Sequence, residues 1–111
     1  MDDLADLLAA ERADTEERIA ALTRNYDDVV ESIEGVGNDD EHDPDGSTIA
    51  FERAQVIALL DAARERLVDL DRAGERLAAG SYGTCDSCGG AIPNERLRAR
   101  PSTRVCVRCA P

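Results

Sequence analysis

The sequence predicts a mainly α protein: a long antiparallel helical hairpin, or coiled coil, followed by a small four-cysteine module of zinc-ribbon type. Three observations predict it. Apolar residues recur in steps of three and four along residues 1–80, glycine and proline punctuate residues 81–111, and all four cysteines fall in that last segment. One Phe, two Tyr and no Trp give no material for a large aromatic core, so with 42% hydrophobic and 33% charged residues the apolar groups must line a narrow seam.

The first seam runs Ala5, Leu8, Thr15, Ile19, Leu22, Tyr26, Val29, Ile33, Val36, with Arg12 interrupting it and Thr15 weakening it. A period near 3.5 sustained this far predicts one long helix from about Leu4, and some thirty residues at about 1.5 Å each give a length of roughly 45 Å. Asp2, Asp3 and Asp6 suit the positive end of its dipole. Gly35-Val36-Gly37-Asn38 ends the pattern.

Asp39-Asp40-Glu41-His42-Asp43-Pro44-Asp45-Gly46 holds five acids, no Lys or Arg, and almost nothing to bury, so it predicts a loop within a tip region near 35–48. Ser47 or Thr48 would cap the next helix. Its seam runs Ile49, Arg53, Val56, Leu60, Ala63, Leu67, Leu70, Gly74, Leu77, widened by Ile57, Leu59 and Val68, and Gly80 marks the stop. Gly74 costs roughly 1 kcal/mol against alanine unless a close helix contact requires it. Two such helices joined by a short loop fold back on each other, giving a hairpin over 1–80 with the acids at its tip. A compact bundle would need a second copy to supply more helices.

Cys85-Asp86-Ser87-Cys88 and Cys106-Val107-Arg108-Cys109 are separated by seventeen residues. Two CxxC pairs at that spacing point to one zinc ion held by Cys85, Cys88, Cys106 and Cys109. Four thiolates close the coordination sphere and give the site a formal charge of −2, which Arg104 and Arg108 would offset; the zinc is structural, with catalytic zinc and a redox pair as the competing uses. Residues 81–111 have too few apolar groups to fold alone, and structural zinc contributes on the order of 10–16 kcal/mol in small peptides.

Charge divides along the same line. Residues 1–80 carry 22 acids and 8 Arg, a balance of −14, and residues 81–111 carry 2 acids and 5 Arg, a balance of +3. The acidic part repels a phosphate backbone, so sequence-specific DNA binding is not expected. Arg96, Arg98, Arg100, Arg104 and Arg108 are candidate docking groups for a partner. No apolar run approaches the roughly 20 residues of a membrane span, and Met1-Asp2-Asp3-Leu4 lacks a signal-peptide start, so a cytoplasmic monomer with no membrane partner is expected.

Tyr82-Gly83-Thr84-Cys85-Asp86-Ser87-Cys88-Gly89-Gly90-Ala91-Ile92, then Arg96-Leu97-Arg98-Ala99-Arg100-Pro101 and Val105-Cys106-Val107-Arg108-Cys109, resemble the zinc finger of the DksA/TraR family. The resemblance covers about thirty residues, and the hairpin before them agrees in order and length. It implies a non-enzymatic regulator that binds bacterial RNA polymerase at the rim of its secondary channel and inserts its coiled-coil tip toward the active centre. The family's tip pattern of acid, two residues, acid, one residue, alanine falls on His42, Asp45 and Ser47, with Asp43 one residue out of register; only Asp45 matches cleanly.

Two readings of other classes use the same residues. Glu41, Asp43, Asp45, Gly46, Ser47 and Glu52 mimic an EF-hand calcium loop, with Glu in place of the first Asp and Pro44 inside it. Alternatively, the zinc ribbon is an adaptor that binds another protein or nucleic acid through its arginines. His42, the lone histidine, reads as solvated beside acids that favour its charged form.

Overall fold

A computed structural model describes residues 2–36 and 44–111. They form two long helices, α1 (Asp2–Val36) and α2 (Pro44–Ala79), and one short helix, α3 (Asn94–Ala99), with a single antiparallel bridge between Thr84 and Ala91. The mainly α hairpin class is as the periodicity predicts, and no described helix is long and apolar enough to cross a membrane.

Contacts divide the chain into two units, Met1–Thr15 with Glu65–Pro111, and Glu16–Arg64. The start of α1 and the end of α2 belong with the cysteine segment.

In the unit of Glu16–Arg64, Ile19 and Leu22 of α1 pack with Val56, Leu60 and Ala63 of α2. Low numbers meeting high numbers is the antiparallel order expected. Arg53, an odd residue for a seam, lies with its guanidinium 5.8 Å from the centre of the Tyr26 ring and donates from Nη2 to the Tyr26 hydroxyl at 3.4 Å. It closes the seam as a cation over an aromatic face.

In the other unit, Leu4 and Leu8 of α1 and Leu70 and Ala73 of α2 share one core with Tyr82, Cys85, Ile92, Leu97 and Cys106, and Leu77 packs against it. Thr15 is buried, its hydroxyl donating to the Glu11 carbonyl at 2.8 Å, so the weak seam position is satisfied by its own helix. Arg12 leaves the seam and pairs with Asp71, and Arg66 pairs with Glu11 at 2.8 Å. Both pairs are half-exposed and contribute little.

Several expectations are corrected. α2 begins at Pro44, so Ser47 and Thr48 lie inside the helix and do not cap it, and helix takes in 35–36 and 44–48 of the supposed loop. Proline suits a first helical position because its missing N–H has no intrahelical partner there. Gly74 is exposed, and a Cβ on it would meet nothing within 4 Å, so no close helix contact requires it; the neighbouring Ala73 is the buried residue. Ile57, Leu59 and Val68 are exposed and do not widen the seam.

Candidate metal centre

The cysteine segment starts where α2 is made to stop. Gly80 has φ +81°, its N–H donates to Leu77 O at 3.2 Å, and the Ser81 N–H donates to Arg76 O at 2.9 Å. This pair of backward bonds is the Schellman closure, and the positive φ is the reason for glycine. Tyr82 then turns inward, and its hydroxyl donates to the Pro101 carbonyl at 2.8 Å. That bond ties the start of the segment to the chain entering the second cysteine pair.

Each cysteine pair sits on a tight turn built from main-chain groups. In the first, Cys85 N–H donates to Gly90 O at 2.8 Å and Gly89 N–H returns to Cys85 O at 2.9 Å, with Gly89 at φ +74°. In the second, the N–H groups of Cys109 and Ala110 return to Cys106 O at 3.1 and 3.0 Å. The turns are joined by Asp86 N–H to Arg104 O at 2.8 Å and by Cys106 N–H to the Cys85 sulfur at 3.4 Å. α3 fills the interval between them, preceded by Pro93 and burying Leu97. The sequence does not announce this helix, because six residues are too few for a 3.6-residue period to show, and the one signal is Pro93 followed by Asn94-Glu95.

The four sulfurs of Cys85, Cys88, Cys106 and Cys109 all lie within 4.8 Å of one another, and no disulfide joins them. Tetrahedral zinc with Zn–S near 2.3 Å requires sulfurs about 3.8 Å apart. Cys88 and Cys106 are 3.8 Å apart. The donor set fits one zinc ion with four protein ligands, Cys85 and Cys106 buried, Cys109 half-buried and Cys88 exposed.

Backbone amides are the largest influence on the thiols of Cys85 and Cys106. The Cys106 N–H first, then that of Cys88, hold the Cys85 thiol down to about 6 against the opposing effect of burial. Cys106 is lowered chiefly by the Cys109 N–H. Cys109 is pushed up to about 12 because its thiol donates to Cys106 and Cys85 and keeps its proton. The turns thus present thiolate-stabilising N–H groups to Cys85 and Cys106.

The candidate docking arginines separate. Arg96 turns into the module, Arg98 reaches Asp3 at 3.4 Å, and Arg100, Arg104 and Arg108 are exposed. An open groove beside α3 is lined by Pro93, Glu95, Arg96, Ala99, Arg100 and the exposed Val107. Asp45 and Ser47 fall in the first turn of α2, and Asp43 lies outside the described residues. The EF-hand reading fails, because Pro44 to Glu52, most of the supposed loop, is α-helix and cannot wrap a cation.

Residues 80–111 match the prokaryotic dksA/traR C4-type zinc finger. The DksA/TraR resemblance extends beyond it: the solved structure of transcription factor DksA2 from Pseudomonas aeruginosa matches 96% of this chain and 77% of its own, with a TM-score of 0.81 and 29% identity. General stress protein 16O of Bacillus subtilis (strain 168) is 31% identical over 95 residues, which are 85% of this chain and 58% of that protein. An uncharacterized protein of Aquifex aeolicus (strain VF5) is 48% identical over 44 residues, 40% of this chain and 30% of its own. The chain spans less than two thirds of the length of either of these two relatives.

Proposed function

We propose that the protein is a cytoplasmic, non-enzymatic transcription regulator of DksA/TraR type. In this reading it binds bacterial RNA polymerase as a monomer and presents the acidic turn of Asp43, Asp45 and Ser47 to the secondary channel. The observation that carries it is the likeness to DksA2 over 96% of the chain, which includes the helical hairpin as well as the zinc finger. A shared zinc finger alone would support only an adaptor.

The chemistry of the chain agrees. Four cysteine ligands leave zinc no open position for an activated water, so the metal holds structure and does not catalyse. The five acids of 39–46 suit basic channel walls or the surroundings of a catalytic magnesium ion. Arg100, Arg104 and Arg108, exposed on the zinc module, are the docking groups in this reading.

The test is capture of purified bacterial RNA polymerase, paired with transcription in vitro. Wild type binds and changes promoter output; Asp43→Asn with Asp45→Asn binds as before and loses the effect. Unchanged output from that variant sinks the working tip, and absence of polymerase binding sinks the whole reading. The adaptor alternative must be tested in the full chain, since Ile92 and Leu97 share a core with Leu4, Leu8, Leu70 and Ala73. It predicts that Arg100→Ala with Arg104→Ala abolishes partner capture while removal of the tip acids has no consequence.

A further inference from the structure

Arg96 is one of five arginines in the cysteine segment, and the structure gives it a different task from a docking group. Its Nε donates to the Val105 carbonyl at 2.8 Å, and its Nη2 lies 3.5 Å from the Thr103 hydroxyl. That hydroxyl also donates to Val105 O at 3.1 Å and accepts from Val105 N–H at 3.4 Å. The fork of one guanidinium thus holds a three-residue stretch that leads directly into Cys106.

The Val105 carbonyl and the Cys106 N–H belong to one planar peptide group. Its oxygen accepts from Arg96, and its N–H donates to the Cys85 sulfur at 3.4 Å. A cation on the oxygen draws electron density from the amide and strengthens the bond it donates on the far side. One peptide therefore links α3, the second cysteine turn and a ligand of the first.

We propose that Arg96 is the positioning residue of the zinc centre: by gripping the Val105–Cys106 peptide it orients Cys106, supports the N–H bond to the Cys85 sulfur, and sets how tightly the metal is retained. Partners one step beyond the ligands typically change metal affinity 10–100-fold. A lysine keeps the charge but cannot reproduce the planar fork. The inference rests on the cysteine site alone and is independent of the polymerase reading.

The experiment uses the zinc-loaded full chain and follows zinc transfer to a chromophoric chelator, with helicity checked by circular dichroism. Arg96→Met and Arg96→Lys are expected to lose zinc about 10–100-fold faster, while Arg104→Met keeps the wild-type rate. In the cobalt-substituted protein the sulfur-to-metal charge-transfer band shifts in the Arg96 variants and stays put in Arg104→Met. Wild-type retention in Arg96→Met, rescue by Arg96→Lys, or equal loss in Arg104→Met overturns the proposal. If Arg96→Met does not load zinc, Thr103→Val decides: faster zinc loss supports the network, and an unchanged rate refutes it.

Discussion

Leu70 and Val68 stand two residues apart on α2, yet Leu70 is 2% exposed and Val68 47%. One belongs to the core shared by helix ends and cysteine turns, the other to the outer face. Leu70→Ala is therefore expected to cost about 2–5 kcal/mol, the range for a large-to-small change in a packed core. Val68→Ala should stay within about 0.5 kcal/mol. Urea unfolding of the zinc-loaded protein checks both; equal losses would show that the outer face is buried in solution.

Gly74 offers a stabilising change. It lies inside α2, is exposed, and has open space where a Cβ would go. Gly74→Ala is expected to add about 1 kcal/mol through helix propensity. A melting temperature that stays level or falls would count against the assigned helix at this position.

Zinc retention should weaken on acidification. Before zinc binds, Cys85 is depressed to about 6 by the Cys106 and Cys88 N–H groups, so a freed Cys85 thiolate takes up a proton as the pH falls through that value. Protons then compete with the metal for sulfur. Cys109, raised to about 12, holds its proton at neutral pH until zinc displaces it, so loading at pH 7.5 releases protons. Titration calorimetry in buffers of different ionisation enthalpy measures that release, and zinc analysis after dialysis across pH 5 to 8 measures the loss.

Removing the Tyr82 hydroxyl isolates the tie to Pro101. Tyr82→Phe keeps the ring but leaves the carbonyl of the fully buried Pro101 without its donor. The expected cost is about 1–3 kcal/mol, the penalty for a buried acceptor left unmatched. Denaturant unfolding reads it, and a change below a few tenths would mean that water replaces the hydroxyl.

The cysteine spacing made the metal site legible because four ligands at fixed intervals are a property of sequence itself. The long helices were legible for a similar reason, in that their apolar period persists over many turns. The errors cluster where a third element intrudes. A two-helix seam placed Ala5 and Gly74 inside, but the helix ends also meet the cysteine turns, and Leu4 and Ala73 are the buried residues. The start of α2 is obscured in the sequence because Ser47 has the chemistry of a cap, whereas Pro44, a good first helical residue, stands among acids that read as loop. Arg96 could not be told from its four neighbouring arginines, since its role depends on where the chain brings Val105.

Leu4 and Leu8 share a core with Cys106, a partner about a hundred residues downstream, whereas Leu22 and Leu60 meet across about forty. During synthesis the nearer contacts are available first. Leu4 and Leu8 can meet Leu70 and Ala73 earlier, but the core they share with Cys106 closes only when the second cysteine pair has left the ribosome and the sulfurs can gather. Metal capture thereby becomes a late step in the maturation of the chain, and a nascent chain halted before Cys106 is left with an incomplete core around its own first turns.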